Sequence, residues 1–206
     1  MLPADYSRNV FINCPFDQRH EPLFRAMVFA VHDCGFVARC ALETVDSGEA
    51  RIRKIIQIMR ESRYGIHDIS RIELDPGTRL PRFNMPLELG IFIGAREFGS
   101  REQRQKEALI LDRDQYRYQA FCSDIAGQDI LTHSGSAESA ILAVRAFLAN
   151  KRAAQFLPAG GKIAERYELF RTELPSLAQR FHLFPAELTF TELRDFISGF
   201  QLENPW

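Results

Sequence analysis

Between residue 9 and about residue 150, short apolar stretches alternate with amphipathic ones in strand–helix order, and this alternation limits the fold more than any other feature of the chain. The segment NVFIN (9–13) reads as a first strand that stops at Cys14-Pro15-Phe16-Asp17. A helix over 21–34 follows, with Leu23, Phe24, Met27, Val28 and Val31 on one stripe and Gly35 closing it. Residues 36–42 (FVARCAL) give a second strand, and 47–61 a second helix through Ile52, Ile55, Ile56 and Met59. A third strand spans 63–69 (RYGIHDI). A polar stretch over 70–83, with a turn signal at Asp75-Pro76-Gly77, leads to 84–98 (NMPLELGIFIGAREF). That segment is apolar nearly all round, which predicts a buried central helix. The alternation ends with a strand at 108–112, a helix over 115–126, a weak strand at 129–133 and an amphipathic helix over 137–149.

Strands joined through helices pair in parallel with right-handed crossovers. The expected fold is therefore α/β: a doubly wound, flavodoxin-like five-stranded parallel sheet of order 2-1-3-4-5, formed by residues 1–150. From 151 to 206 the strands disappear. Leu157-Pro158-Ala159-Gly160-Gly161 reads as a hinge, Ile163, Tyr167, Phe170 and Leu174 mark a helix, and a capping box at Thr189 and Glu192 opens another. This helical extension carries Phe170, Phe181, Phe184, Phe190, Phe196, Phe200 and Trp206, more aromatic surface than two short helices bury between themselves. It must cover that surface on the α/β body, a partner or another subunit, and a homo-oligomer is expected.

A net charge of −1 gives no general reason for nucleic-acid or anionic-membrane binding. No apolar run reaches the roughly 20 residues of a membrane-spanning helix. The first residues lack a basic segment followed by an apolar one, so no signal peptide is expected. Cys14, Cys34, Cys40 and Cys122 form no C-x-x-C pair and no zinc spacing, which points to buried reduced thiols, no metal and a cytoplasmic setting.

Ligands of open α/β sheets bind beyond the carboxyl ends of the strands, where the strand order reverses. This directs attention to the loops at 13–20, 43–48 and 68–83. Within them, Asn13, Phe16 and Asp17 follow the first strand, and Ser47 opens the second helix as an N-cap or as a ligand-holding N-terminus. Arg19, Arg71, Arg79 and Arg82 offer cations for a phosphate. His67 reads as a core histidine, while His20, His32, His133 and His182 are scattered and suggest no triad.

The most informative pattern is Asn84-Met85-Pro86-Leu87-Glu88-Leu89-Gly90. Asn84 suits an N-cap and Pro86 the first turn, so Glu88 falls near a helix start, where the dipole favours its ionised form. A carboxylate among apolar neighbours is costly without a role or a partner; it either does chemistry, caps free N–H groups, or pairs with Arg82. No P-loop, G-x-G-x-x-G, H-E-x-x-H or G-x-S-x-G occurs.

This strand–Asp–loop–(M/P)-x-E-L-G–helix arrangement resembles the nucleoside 2-deoxyribosyltransferase-like superfamily, which includes N-glycoside hydrolases and is distantly related to Toll/interleukin-receptor-like NAD hydrolases. The likeness spans about 10–148, with its specific part at 66–94. It implies that Glu88 is the catalytic carboxylate at the anomeric carbon, with a nucleotide-like substrate (NAD or a nucleoside monophosphate), no cofactor, and a bacterial defence role among its relatives. An oxocarbenium-like transition state needs such a carboxylate, and a second one to orient the sugar or handle the base's proton. Asp68, ending the third strand, is the expected second. The alternative is a nucleotide-sensing module that signals through its helical tail without turnover.

Overall fold

The computed structural model describes residues 3–43, 46–74, 77, 79–151 and 156–206. Five strands, β1 (Asn9–Asn13), β2 (Val37–Arg39), β3 (Tyr64–Asp68), β4 (Glu107–Asp112) and β5 (Ile130–Thr132), pair in parallel in the order β2-β1-β3-β4-β5. This is the expected topology. The helices are α1 (Glu21–Asp33), α2 (Arg51–Arg60), α3 (Asn84–Phe98), α4 (Ala137–Leu148), α5 (Gly160–Gln179) and α6 (Phe190–Glu203).

Side chains alternate along each strand, and β1 shows how this sorts the layers. Val10 and Ile12 join the cluster containing α1, α4 and the tail helices, whereas Phe11 joins Ile55, Met59 and Phe92 of α2 and α3. In β3, Gly65 and His67 share the face of Phe11. A Cβ at Gly65 would lie 2.6 Å from His67 Nε2 and 2.9 Å from Phe92 Cζ, both on fully buried side chains. Gly65→Ala is therefore expected to lower stability by about 1–3 kcal/mol through overpacking, read as a lower urea midpoint at unchanged slope.

Several boundaries differ from those read in the sequence. The second strand ends at Arg39 because Glu43 Oε1 accepts from Cys40 N (3.2 Å) and Arg39 Nε (2.6 Å), turning the chain off the sheet. The second helix begins at Arg51, so Ser47 does not cap it; Asp46 Oδ1 instead accepts from Gly48 N at 2.8 Å in a turn. No α-helix forms over 115–126. Tyr116 sits at φ 63°, off the helical path, and two 3-10 turns, Arg117–Ala120 and Ser123–Ile125, take its place. Of the expected turn at Asp75-Pro76-Gly77, the first two residues lie outside the described ones, as do Thr44 and Val45 of the loop after β2.

The central buried helix is α1, not α3. Leu23, Phe24 and every residue from Ala26 to Val31 are buried. In α3 only Met85, Glu88, Leu89 and Phe92 are, and Leu87 and Phe98 are exposed. The cause is the tail: α5 and α6 pack over α1, making a further layer. Phe29 of α1 meets Tyr167, Phe170 and Phe200 at ring-centroid distances of 5.5, 5.4 and 6.0 Å. Buried Asp33 at the end of α1 accepts from Arg166 (3.2 Å) and Gln201 (3.1 Å). The tail thus covers Phe170, Phe190 and Phe200 on its own chain, while Phe181, Phe184 and Trp206 stay exposed. Among the described residues no helix is long and apolar enough to cross a membrane.

Candidate active site

β1 and β3 are neighbours, and the chain leaves them toward opposite faces, through α1 and through α3. The reversal point of the sheet therefore lies between their carboxyl ends. Two loops meet there. Arg71 after β3 places Nη1 2.9 and 3.0 Å from the two carboxylate oxygens of Asp17 after β1, and Nε 3.3 Å from Glu73. Phe16 packs over the sheet end against residues of both layers and lies edge-on to Phe24. A cleft of about 400 Å³ opens beside it, between Asp17 and Gln18 on one side and Leu188 and Phe190 of the tail on the other. Arg19, Ser47, Arg79, Arg82 and Asn84 are exposed; Arg79 holds a left-handed backbone conformation (φ 58°).

Glu88 is only 8% exposed, yet among the described residues it has neither hydrogen bond nor ion pair. The sequence reading allowed a pair with Arg82; the cation acting on it is instead Arg51, at the start of α2. Burial pushes the Glu88 carboxyl up to about 7, against the pull of Arg51. The ionised form expected from the helix dipole is thus no longer dominant at neutral pH. Asn84 is the first helical residue rather than the cap, which puts Glu88 beyond the first turn, where the dipole is weak. A carboxyl poised near neutrality can donate or accept a proton at physiological pH.

Asp68 is fully buried and belongs to the other layer: β3 alternation turns it, with Ile66, toward α1 and α4. Its Oδ1 accepts from Ser70 N at 2.9 Å. His20 Nε2 lies 2.9 Å and His133 Nε2 3.3 Å from its Oδ2, both off the line of an ideal hydrogen bond. Burial alone would raise this carboxyl, but the two imidazoles hold it well below the usual carboxylate range. It therefore does not face a ligand alongside Glu88. His133 Nδ1 accepts from Gly135 N at 2.9 Å, so its proton sits on Nε2 and points to Asp68. A protonated Nε2 is no metal ligand, and among the described residues no group of acids, histidines or cysteines has a metal-binding arrangement.

Asn13 is also structural. Its Nδ2 donates to His67 Nδ1 (3.1 Å) and to Met85 O (2.9 Å), tying β1 to β3 and to the start of α3. His67 is the core histidine expected; burial, then Lys106, brings it down to about 3. The buried Cys14 thiol shows how close the acids come together. Burial pushes it well up, and Asp68, Glu88 and Asp17 all add to the rise.

A shifted titration does not by itself mark this site. Lys106, at the amino end of β4, is brought down to about 7 by burial, and it has an evident structural task. Its Nζ donates to Met59 O (2.6 Å) and Ser62 O and lies 4.7 Å from the centre of the Phe92 ring. Sequence reasoning missed His20, His133 and Arg51. The strand-end rule that selected Asp68 also applies to His133, one residue past β5, and to His20, at the end of the loop after β1. Compared with models of known protein families, with curated proteins and with solved structures, the chain has no match.

Proposed function

We propose that the protein cleaves the base–sugar bond of a nucleotide-like substrate, NAD or a nucleoside monophosphate, with Glu88 as the reacting carboxyl. One observation carries this reading: at the reversal point of a doubly wound sheet, a largely buried carboxyl without a bonding partner among the described residues is raised to about 7. Natural cores rarely keep such a group, because an unpaired buried charge is destabilising. Toward a nucleoside monophosphate, Glu88 in its acid form protonates the departing base; toward NAD, whose nicotinamide leaves neutral without a proton, its carboxylate stabilises the oxocarbenium-like sugar. Its place in the E-L-G pattern is the one the deoxyribosyltransferase-like resemblance gives to the catalytic carboxylate. The exposed Arg79 and Arg82, in the loop after β3, supply cations for a phosphate, whereas Arg71 is held by Asp17 and Glu73. Glu88 is not locked in an ion pair, which is the arrangement a purely sensing module would favour.

Incubation with NAD and a panel of nucleosides and nucleoside monophosphates, followed by chromatography, is expected to show free base from at least one of them at pH 7. Binding without release would make the crevice a nucleotide sensor. Neither binding nor release from any of them would overturn both readings.

A further inference from the structure

We infer that His20 is the base that activates the attacking water or acceptor hydroxyl, with Asp68 as its positioning partner; this rests on the base–sugar cleavage reading above. The geometry singles out one imidazole of the two around Asp68. His133 has both nitrogens occupied: Gly135 N donates to Nδ1, and Nε2 turns its proton to Asp68. His20 also turns Nε2 to Asp68, at 2.9 Å, but its Nδ1 has no bonding partner among the described residues and, unlike Nε2, is not sealed from water. A buried ionised carboxylate on one nitrogen fixes the tautomer and leaves the lone pair on the other. That nitrogen belongs to the loop whose Asp17 and Gln18 line the 400 Å³ cleft, and Asp17 Oδ1 holds the loop by accepting from His20 N at 3.2 Å. This arrangement gives Asp68 a role that its burial denies it as a direct substrate ligand.

The step balances. Water loses a proton to His20 Nδ1 as its oxygen bonds to the anomeric carbon and the glycosidic electron pair leaves on the base nitrogen. In a nucleoside monophosphate Glu88 protonates that nitrogen and regains its proton from solvent; in NAD the cationic nicotinamide leaves neutral, takes no proton, and Glu88 acts as the carboxylate facing the sugar. Asp68 stays ionised and stabilises the imidazolium, whose proton returns to solvent. A mere clamp joining the ends of β1 and β3 would involve the same contacts, so the test must separate chemistry from structure.

Base release by His20→Gln is expected to fall about 10²–10⁴-fold with KM little changed. Azide, a nucleophile that needs no deprotonation, is expected to restore release in His20→Gln and in Asp68→Asn but not in Glu88→Gln. Carbethoxylation of the native wild type, read by mass spectrometry, is expected at His20 and not at the sealed His67 and His133. Near wild-type release by His20→Gln overturns this inference and leaves the cleavage reading standing. Loss without azide rescue, or a native His20 that resists the reagent, assigns the cluster to structure alone and overturns it. Absence of release by the wild type overturns both.

Discussion

Replacing Glu88 with Gln is expected to lower base release by about 10³-fold or more while making the protein more stable at and above pH 7. The two effects have one cause. The folded-state value is about 7 and the unfolded one about 4.5, so folding disfavours the charged form. Below pH 4.5 the group is neutral in both states and nothing is lost. Between 4.5 and 7 the unfolded chain ionises first, stability falls as pH rises, and above 7 the loss is complete. Gln keeps the shape and never carries the charge. Thermal melts of the two proteins are therefore expected to coincide near pH 4 and to separate in favour of Gln by pH 8. A Glu kept for a cap or an ion pair gives the reverse: a variant less stable at pH 8, with no effect on turnover.

Phe29→Ala is expected to cost about 3–5 kcal/mol, the range for a large aromatic removed from a well-packed core. Phe29 is fully buried, and its ring is shared by α1 and the tail through Tyr167, Phe170 and Phe200. If body and tail are one cooperative unit, both lose stability together. Trp206, whose ring lies 4.3 Å from the Arg166 guanidinium, reports the tail, and circular dichroism reports the whole. The two urea transitions should coincide in wild type and shift together in the variant. A tail transition that moves alone would show an appendage rather than part of the core.

The strand order was readable because it needs only alternation, crossover handedness and strand count. The layer inversion was not. The run Phe24–Val31 is nearly uninterrupted apolar sequence, a sign of a helix covered on both sides, but what covers it lies more than 130 residues away in α5 and α6. Conversely, Leu87 and Phe98 made α3 look buried although both are exposed. Periodicity records how much apolar surface a helix has, not whether a partner is present to meet it. The candidate site was legible at Glu88, whose motif is local. The Asp68 cluster was not: His20, Asp68 and His133 lie at or beyond the ends of three different strands, separated by 48 and 65 residues, and only sheet order brings them together. Asp68 ends β3 as expected, but strand alternation turns its side chain to the α1 and α4 layer, which a strand-end position alone does not reveal. Arg51 escaped notice because the second helix was begun four residues early, which left it inside the helix instead of at its start.

The most direct measurement is the titration of the Glu88 carboxyl itself, followed through its side-chain ¹³C resonance in glutamate-labelled protein and assigned by its absence from Glu88→Gln. A midpoint near pH 7 is expected if the group is buried, unpaired and available for proton transfer. A midpoint in the ordinary range, about 4.3, would mean a solvated or paired carboxylate and would contradict its role as the reacting group.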